Sequence, residues 1–353
     1  MRRLNVPVHR RELLAALGLL ALLPACASVG VDAAGESGSA ASGAGAGDAA
    51  FYDARTGERL GRRALLDRMA PAPILLLGEI HDNAMHHRIR AGLLLDWVRA
   101  RPKRPAAVVF EHFDREHNDS LRLAQRQPPE PARADGIRLM DLLDAAQFDR
   151  GAWEWPVHQP LFAAAQASGA TWIAANLSRA TARRLSRDPG ADVDPVLTAV
   201  LESARWSDQA QQALAQALLQ GHCGAMSPAA VAGIARIQRL RDAALALPLL
   251  DAAERRPVLL AGNGHVRRDH GVPLYLGAFE KEALVIGFEE VTGTAVSPRL
   301  ADLLGAQRAQ DHAGGYDFVC LTKAPPREDP CAGATPAGAG GVSPAAPTQT
   351  PSR

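Results

Sequence analysis

Charge of one sign is missing from this chain as a net quantity. Its 353 residues carry 39 Lys and Arg against 38 Asp and Glu, a formal net charge of +1. That balance excludes the basic footprint of a nucleic-acid binder. No CxxC or CxxCH is present, which removes zinc-ribbon and covalent c-type haem readings. GxSxG is absent, so a nucleophile-elbow hydrolase is unsupported. HExxH and the Walker A loop are absent as well. Gly262-Asn263-Gly264-His265 lacks the third glycine and the acidic partner of a dinucleotide fingerprint. Long apolar runs are scarce, and Leu13–Leu23 is too short to span a bilayer as a helix.

That short run has the anatomy of an export signal. Arg2, Arg3, Arg10 and Arg11 form a basic start, and Leu23-Pro24-Ala25-Cys26 resembles a bacterial lipobox, with Cys26 as the lipidated residue. His9-Arg10-Arg11-Glu12-Leu13-Leu14 also resembles a loose twin-arginine signal. Residues 1–26 are therefore expected to be a lipoprotein signal and 27–50, rich in Ala, Gly and Ser, a flexible tether. Residues 51–323 are the expected folded domain, and 324–353 a disordered Pro- and Ala-rich tail. The absence of aspartate after Cys26 favours the outer over the inner membrane, with the domain facing the periplasm. Three further cysteines, Cys223, Cys320 and Cys331, permit one disulfide in that compartment. Cys320 and Cys331 are the first candidates and Cys223 with Cys331 the second.

The centre of the sequence is Ile74–Val98, ILLLGEIHDNAMHHRIRAGLLLDWV. A short apolar run, too short for an independent helix, reads as a buried strand. Gly78 is read as a turn residue. Met85, Ile89, Leu93 and Trp97 then recur at helical spacing. Asp82 or Asn83 can cap that helix. His86 and His87 must point to different helix faces, so at most one meets a crevice. The same strand-then-polar pattern returns at Ala106–Phe110 before Glu111-His112, at Thr171–Ala175 before Asn176, and at Val258–Leu260 before His265. Leu284–Phe288 reads as a fifth strand, Phe318–Leu321 as an edge strand, and Glu58–Met69 as a helix. Strands alternating with helices predict an α/β layered fold, with a largely parallel central sheet flanked by helices and a helical insertion over 195–250. Strand carboxyl ends share one rim in such a sheet, so Glu79, His81, Glu111, His112, Asn176 and His265 converge there.

The rim chemistry admits two ligands. His81 and His265 can ligate a divalent metal, supported by Glu79 and Glu111. Alternatively the imidazoles face a haem whose propionates pair with Arg241, Arg267 or Arg268. Gln238, Arg241 and Asp242 share one helix face and can orient groups at the rim. Each of these residues also has a plainer role, as a cap, a surface charge pair or a loop histidine.

Gly78-Glu79-Ile80-His81-Asp82-Asn83 with His86-His87, Glu111-His112-Phe113-Asp114, Ala175-Asn176-Leu177-Ser178-Arg179, Gln238 with Arg241-Asp242, and Ala261-Gly262-Asn263-Gly264-His265-Val266-Arg267 together resemble the ChaN-like family. These are haem-binding, iron-uptake lipoproteins of bacteria. They share a superfamily with the TraB/PrgY proteins, the Tiki metalloproteases and the erythromycin esterases. The resemblance, over about Tyr52 to Phe288, implies haem as cofactor and a periplasm-facing membrane anchor. It implies a homodimer holding haem between subunits and an outer-membrane haem receptor as a further partner. Glu79, His81, Asn83, His86, Glu111, Asn176, Arg241, His265 and Arg267 are the haem-site residues so implied. The wider superfamily implies an alternative, a metal-dependent hydrolase with Glu79 or Glu111 as general base. The family pattern places a tyrosine where this chain has His158, so His158 would replace it as an iron ligand.

Overall fold

The strand that opens the motif is the four-residue β3, Ile74–Leu77, and all of it is buried. Both faces of the sheet are covered there, so the strand reads as a continuous apolar run rather than an alternating one. The computed structural model describes residues 49–127, 135–292, 300, 315–329 and 331–332. The expected signal, Cys26, nearly all of the tether, and most of the expected tail lie outside the described residues.

The strands are β1 Ala49–Asp53, β2 Arg59–Leu60, β3, β4 Ala107–Asp114, β5 Thr171–Asn176, β6 Pro257–Leu260, β7 Ala283–Val291 and β8 Phe318–Lys323. Their order across the sheet is β2-β1-β8-β7-β3-β6-β4-β5. From β8 to β5 neighbours run parallel, and β1 is antiparallel to β2 and β8. The helices are α1 Arg62–Met69, α2 Ala84–Arg99, α3 Asn118–Arg126, α4 Asp135–Ala145, α5 Gln159–Ala167, α6 Arg179–Arg187, α7 Pro195–Ser203, α8 Asp208–Gly221, α9 Pro228–Asp251, α10 Asn263–Val266 and α11 Val272–Ala278. This is the expected α/β architecture.

Alternation along the strands assigns each face its own core. Leu75, Leu77, Phe110 and Leu260 face Leu93, Trp97 and Phe162 on α2 and α5. Ile74, Leu76, Val109 and Leu259 face Leu240, Ala243, Ala244 and Leu249 on α9. The alanines there have no side chain beyond Cβ, so the long helix lies close against the strands. No described helix is long and apolar enough to cross a membrane.

Register decides where the polar groups emerge. Leu77 is level with Leu260, and Leu260 with Phe110. Gly78-Glu79, Ala261-Gly262 and Glu111 therefore leave the sheet side by side.

Four expectations need correction. β8 lies between β7 and β1 rather than at an edge, because the N-terminal hairpin covers its outer side. The first helix begins at Arg62, since Arg59 and Leu60 pair with Tyr52 and Phe51. Gly78 is required for close approach rather than for a turn: a Cβ there would sit 2.2 Å from Asn263 Oδ1. The disulfide joins Cys223 to Cys331, and Cys320 is a buried free thiol. Residues 324–329 are part of the described structure, with Arg327 donating to Asp82 and Glu290.

The disulfide links residues 108 apart in sequence. Constraining the unfolded chain across so long a loop adds about 2–4 kcal/mol. Cys331→Ser is expected to lower the melting temperature to that of the reduced parent, and reductant is expected to change the variant no further.

Candidate functional site

Glu79 follows the Gly78 crossing and has no exposed side-chain surface. A carboxylate held this way is stable only with partners, and it gathers several. Its Oε1 lies 2.7 Å from His81 Nδ1. Oε2 meets the buried guanidinium of Arg90, which also donates to the Leu77 carbonyl. His87 Nδ1 lies 3.2 Å from Oε2, and His112 Nε2 3.3 Å from Oε1. His158 Nε2 is 3.8 Å from Oε1.

His81 differs from the others because half of its side chain is exposed. The carboxylate accepts the Nδ1 proton, which fixes the tautomer and leaves a lone pair on Nε2. Trp153 meets the ring edge-on at 4.9 Å. A Cβ on Gly262 would come within 3.1 Å of Nε2 and 3.6 Å of Glu111 Oε2, so glycine keeps this space open. A carboxylate-anchored imidazole with an open Nε2 is a donor suited to haem iron or a divalent metal.

The second carboxylate, Glu111, is buried and accepts the Gly262 N–H at 2.7 Å. Its Oε1 is 3.2 Å from His265 Nε2, and His265 Nδ1 is 2.6 Å from Asp242 Oδ1. Burial alone would push His265 down, but Glu111 and Asp242 outweigh it and raise it to about 10. Burial alone would raise Glu111, but His265, His81 and the Gly262 amide hold it well below the usual range. His265 is thus an imidazolium between two acidic groups. Both of its ring nitrogens face carboxylate oxygens, whereas His81 turns one ring nitrogen to the open side. Gln238, one turn before Asp242 on α9, places its amide 3.0 Å from His265 Nδ1.

These shifts set opposite pH limits. His265 adds stability that is complete below its unfolded value of about 6.5 and is lost as pH rises through about 10. Burial lowers His87 to about 4, His86 to about 3 and His158 to about 2. Their neutral forms support the fold above about 6.5, and that support is lost as pH falls through those lower values. Urea midpoints are therefore expected to peak near neutrality, falling by pH 5 and again by pH 10.

The other expected site residues make the following contacts. Asn83 caps α2, accepting from Met85 N and His86 N, and donates to Glu290. His86 is tied by Ile80 N at Nδ1 and Thr322 at Nε2. Its neighbour His87 faces the cluster instead, one helix position being enough to exchange faces. Asn176 donates to the Glu111 carbonyl at 2.9 Å. Arg267 is bound to Asp269 and lies over Tyr316, and Arg268 is bound to Asp317. Each is thus paired with a carboxylate through Nε and Nη2. Arg241 keeps its Nε without a hydrogen-bond partner, and it acts on Asp114 together with Arg179. His158 is 1% exposed, inside the cluster rather than at the open face. Arg90 is absent from the sequence reading, because an arginine in the middle of a helix carries no signal of burial.

No curated protein sequence matches the chain. Among solved structures it is similar to ChaN of Campylobacter jejuni, described as binding heme cofacially. The TM-score is 0.61 at 18% identity, covering 79% of this chain and 98% of that one. A mutant of the erythromycin esterase EreC in its open conformation gives a TM-score of 0.40 at 12% identity, covering 80% and 99%. The family model described as "Haem-binding uptake, Tiki superfamily, ChaN" matches residues 65–276. That is more than half of the chain, which therefore belongs to the haem-binding uptake family of ChaN, in the Tiki superfamily.

Proposed function

We propose that this chain binds haem at the carboxyl-end crevice of its sheet, with His81 Nε2 as the protein ligand to iron. The carrying observation is the Glu79–His81 pair, one member fully buried and the other half exposed. Haem supplies the redox-active iron. The protein supplies a fixed imidazole, the Trp153 ring beside it, and the guanidinium groups of Arg241 and Arg179 for the propionates. Lipid anchoring at Cys26, a periplasm-facing position and a place in iron uptake complete the proposal, supported by the lipobox-like sequence and the family. A second copy closing over the exposed haem face is part of it, by analogy with cofacial binding in the Campylobacter protein. An outer-membrane haem receptor is the expected partner.

The hydrolase reading receives less from the geometry. A general base works best with a value near neutrality. Glu111 is held far below that, and Glu79 is sealed beneath Arg90.

A hemin titration of the purified chain followed by absorbance tests the proposal. A saturable Soret shift is expected, with light scattering reporting a haem-dependent increase in mass. A linear, unsaturable response overturns haem binding, and an unchanged mass overturns the paired arrangement.

A further inference from the structure

A group of imidazoles behind the crevice has no role in holding haem through His81 Nε2. Glu79, His87 and His158 are buried, and their candidate ligating atoms all lie within 4.8 Å of one another. His112 stands beside them.

Hydrogen bonding fixes the tautomer of His87. Its Nε2 is 2.8 Å from the His81 carbonyl oxygen, which can only accept. The proton is therefore on Nε2 and the lone pair on Nδ1. That lone pair lies 3.2 Å from Glu79 Oε2, a second acceptor. Two acceptors facing each other in a buried site call for a cation or a donor with them. Arg90 meets Oε2, yet His87 Nδ1 and both ring nitrogens of His112 have no hydrogen-bond partner. A buried polar group left in that state is unfavourable.

We infer that Glu79, His87 and His158, with His112 alongside, form a second site, for a divalent first-row metal ion of the zinc class. Neutral imidazoles and a carboxylate are the donor set such ions take. Metal–ligand bonds of about 2.0–2.2 Å require the donors to close in by about an ångström. Arg90 opposes the ion, and the neighbouring charge of Glu111 offsets part of that opposition. Arg90 also engages Oε2, leaving Oε1 as the oxygen on which His112 and His158 converge. The site shares Glu79 with the proposed haem site but does not use His81 Nε2, so the two are read by separate signals, d–d absorption for this ion and the Soret band for haem.

The test is a Co2+ titration of the chelator-stripped full chain, read by visible d–d absorption and by thermal shift. One ion per chain is expected, with a raised melting temperature. His158→Phe and His87→Ala are expected to weaken binding at least tenfold, while His222→Ala, at the exposed residue that follows α8, binds as the parent does. A cooperative melting transition retained by His158→Phe shows that the variant is folded, and His87→Ala carries the test if it is not. Absence of d–d absorption in folded parent overturns the site. So does undiminished binding in a folded His158→Phe or His87→Ala variant.

Discussion

His81→Ala is expected to lose haem. Outer-shell partners of a metal ligand are each worth about 10–100-fold in affinity, so removing the ligand itself weakens hemin binding by at least about 100-fold. The fold is expected to survive, because the His81 side chain is half exposed and packs on little beyond Trp153. Glu79→Gln is the graded companion. It keeps the shape but loses the charge that fixes the Nδ1 proton, so it falls between parent and His81→Ala. Parallel hemin titrations with melting curves give both numbers. Parent-like binding in His81→Ala places the iron ligand elsewhere in the crevice.

Asp242→Ala has the largest expected effect on stability. It removes one of the two acidic partners of a buried imidazolium, with His265 Nδ1 2.6 Å from Asp242 Oδ1. Breaking a buried pair from one side costs about 3–5 kcal/mol, which for a domain of this size lowers the melting temperature by on the order of 10 °C. The loss has a pH signature that simple cavity formation lacks. Without Asp242 the His265 value falls, so the variant's stability declines at a lower pH than the parent's on the alkaline side. Melting curves from pH 6 to pH 10 separate the two causes. A uniform drop across that range contradicts the charge account and leaves only lost packing.

What the sequence revealed followed its periodicities. The apolar runs before Glu79, Glu111 and His265 are strands buried on both faces, the run before Asn176 is the partly buried edge strand β5, and their polar successors mark the strand ends. Register then brings Glu79, Glu111 and the His265 loop together, a consequence of parallel pairing rather than of any motif. Other features depend on contacts distant in sequence. His86 and His87 are equivalent as letters, and only the rotation of α2 sends one to Thr322 and the other to Glu79. Asn83 caps α2, as its place before the helix indicates, and its further bond to Glu290 comes from a residue 207 positions away. Asp242 serves His265 because α9 crosses the sheet at that level, which spacing within α9 cannot specify. Cys331 pairs with Cys223 through a return of the chain that no local pattern records. β8 acquires an outer neighbour only because the N-terminal hairpin pairs with it.

The most direct test of the central claim is resonance Raman spectroscopy of the hemin-loaded, reduced chain, excited in the Soret band, beside His81→Ala. The account predicts an iron–imidazole stretching mode in the parent that is missing from the variant. Tyrosinate modes in the ferric parent, or an iron–imidazole mode that persists in His81→Ala, would contradict it.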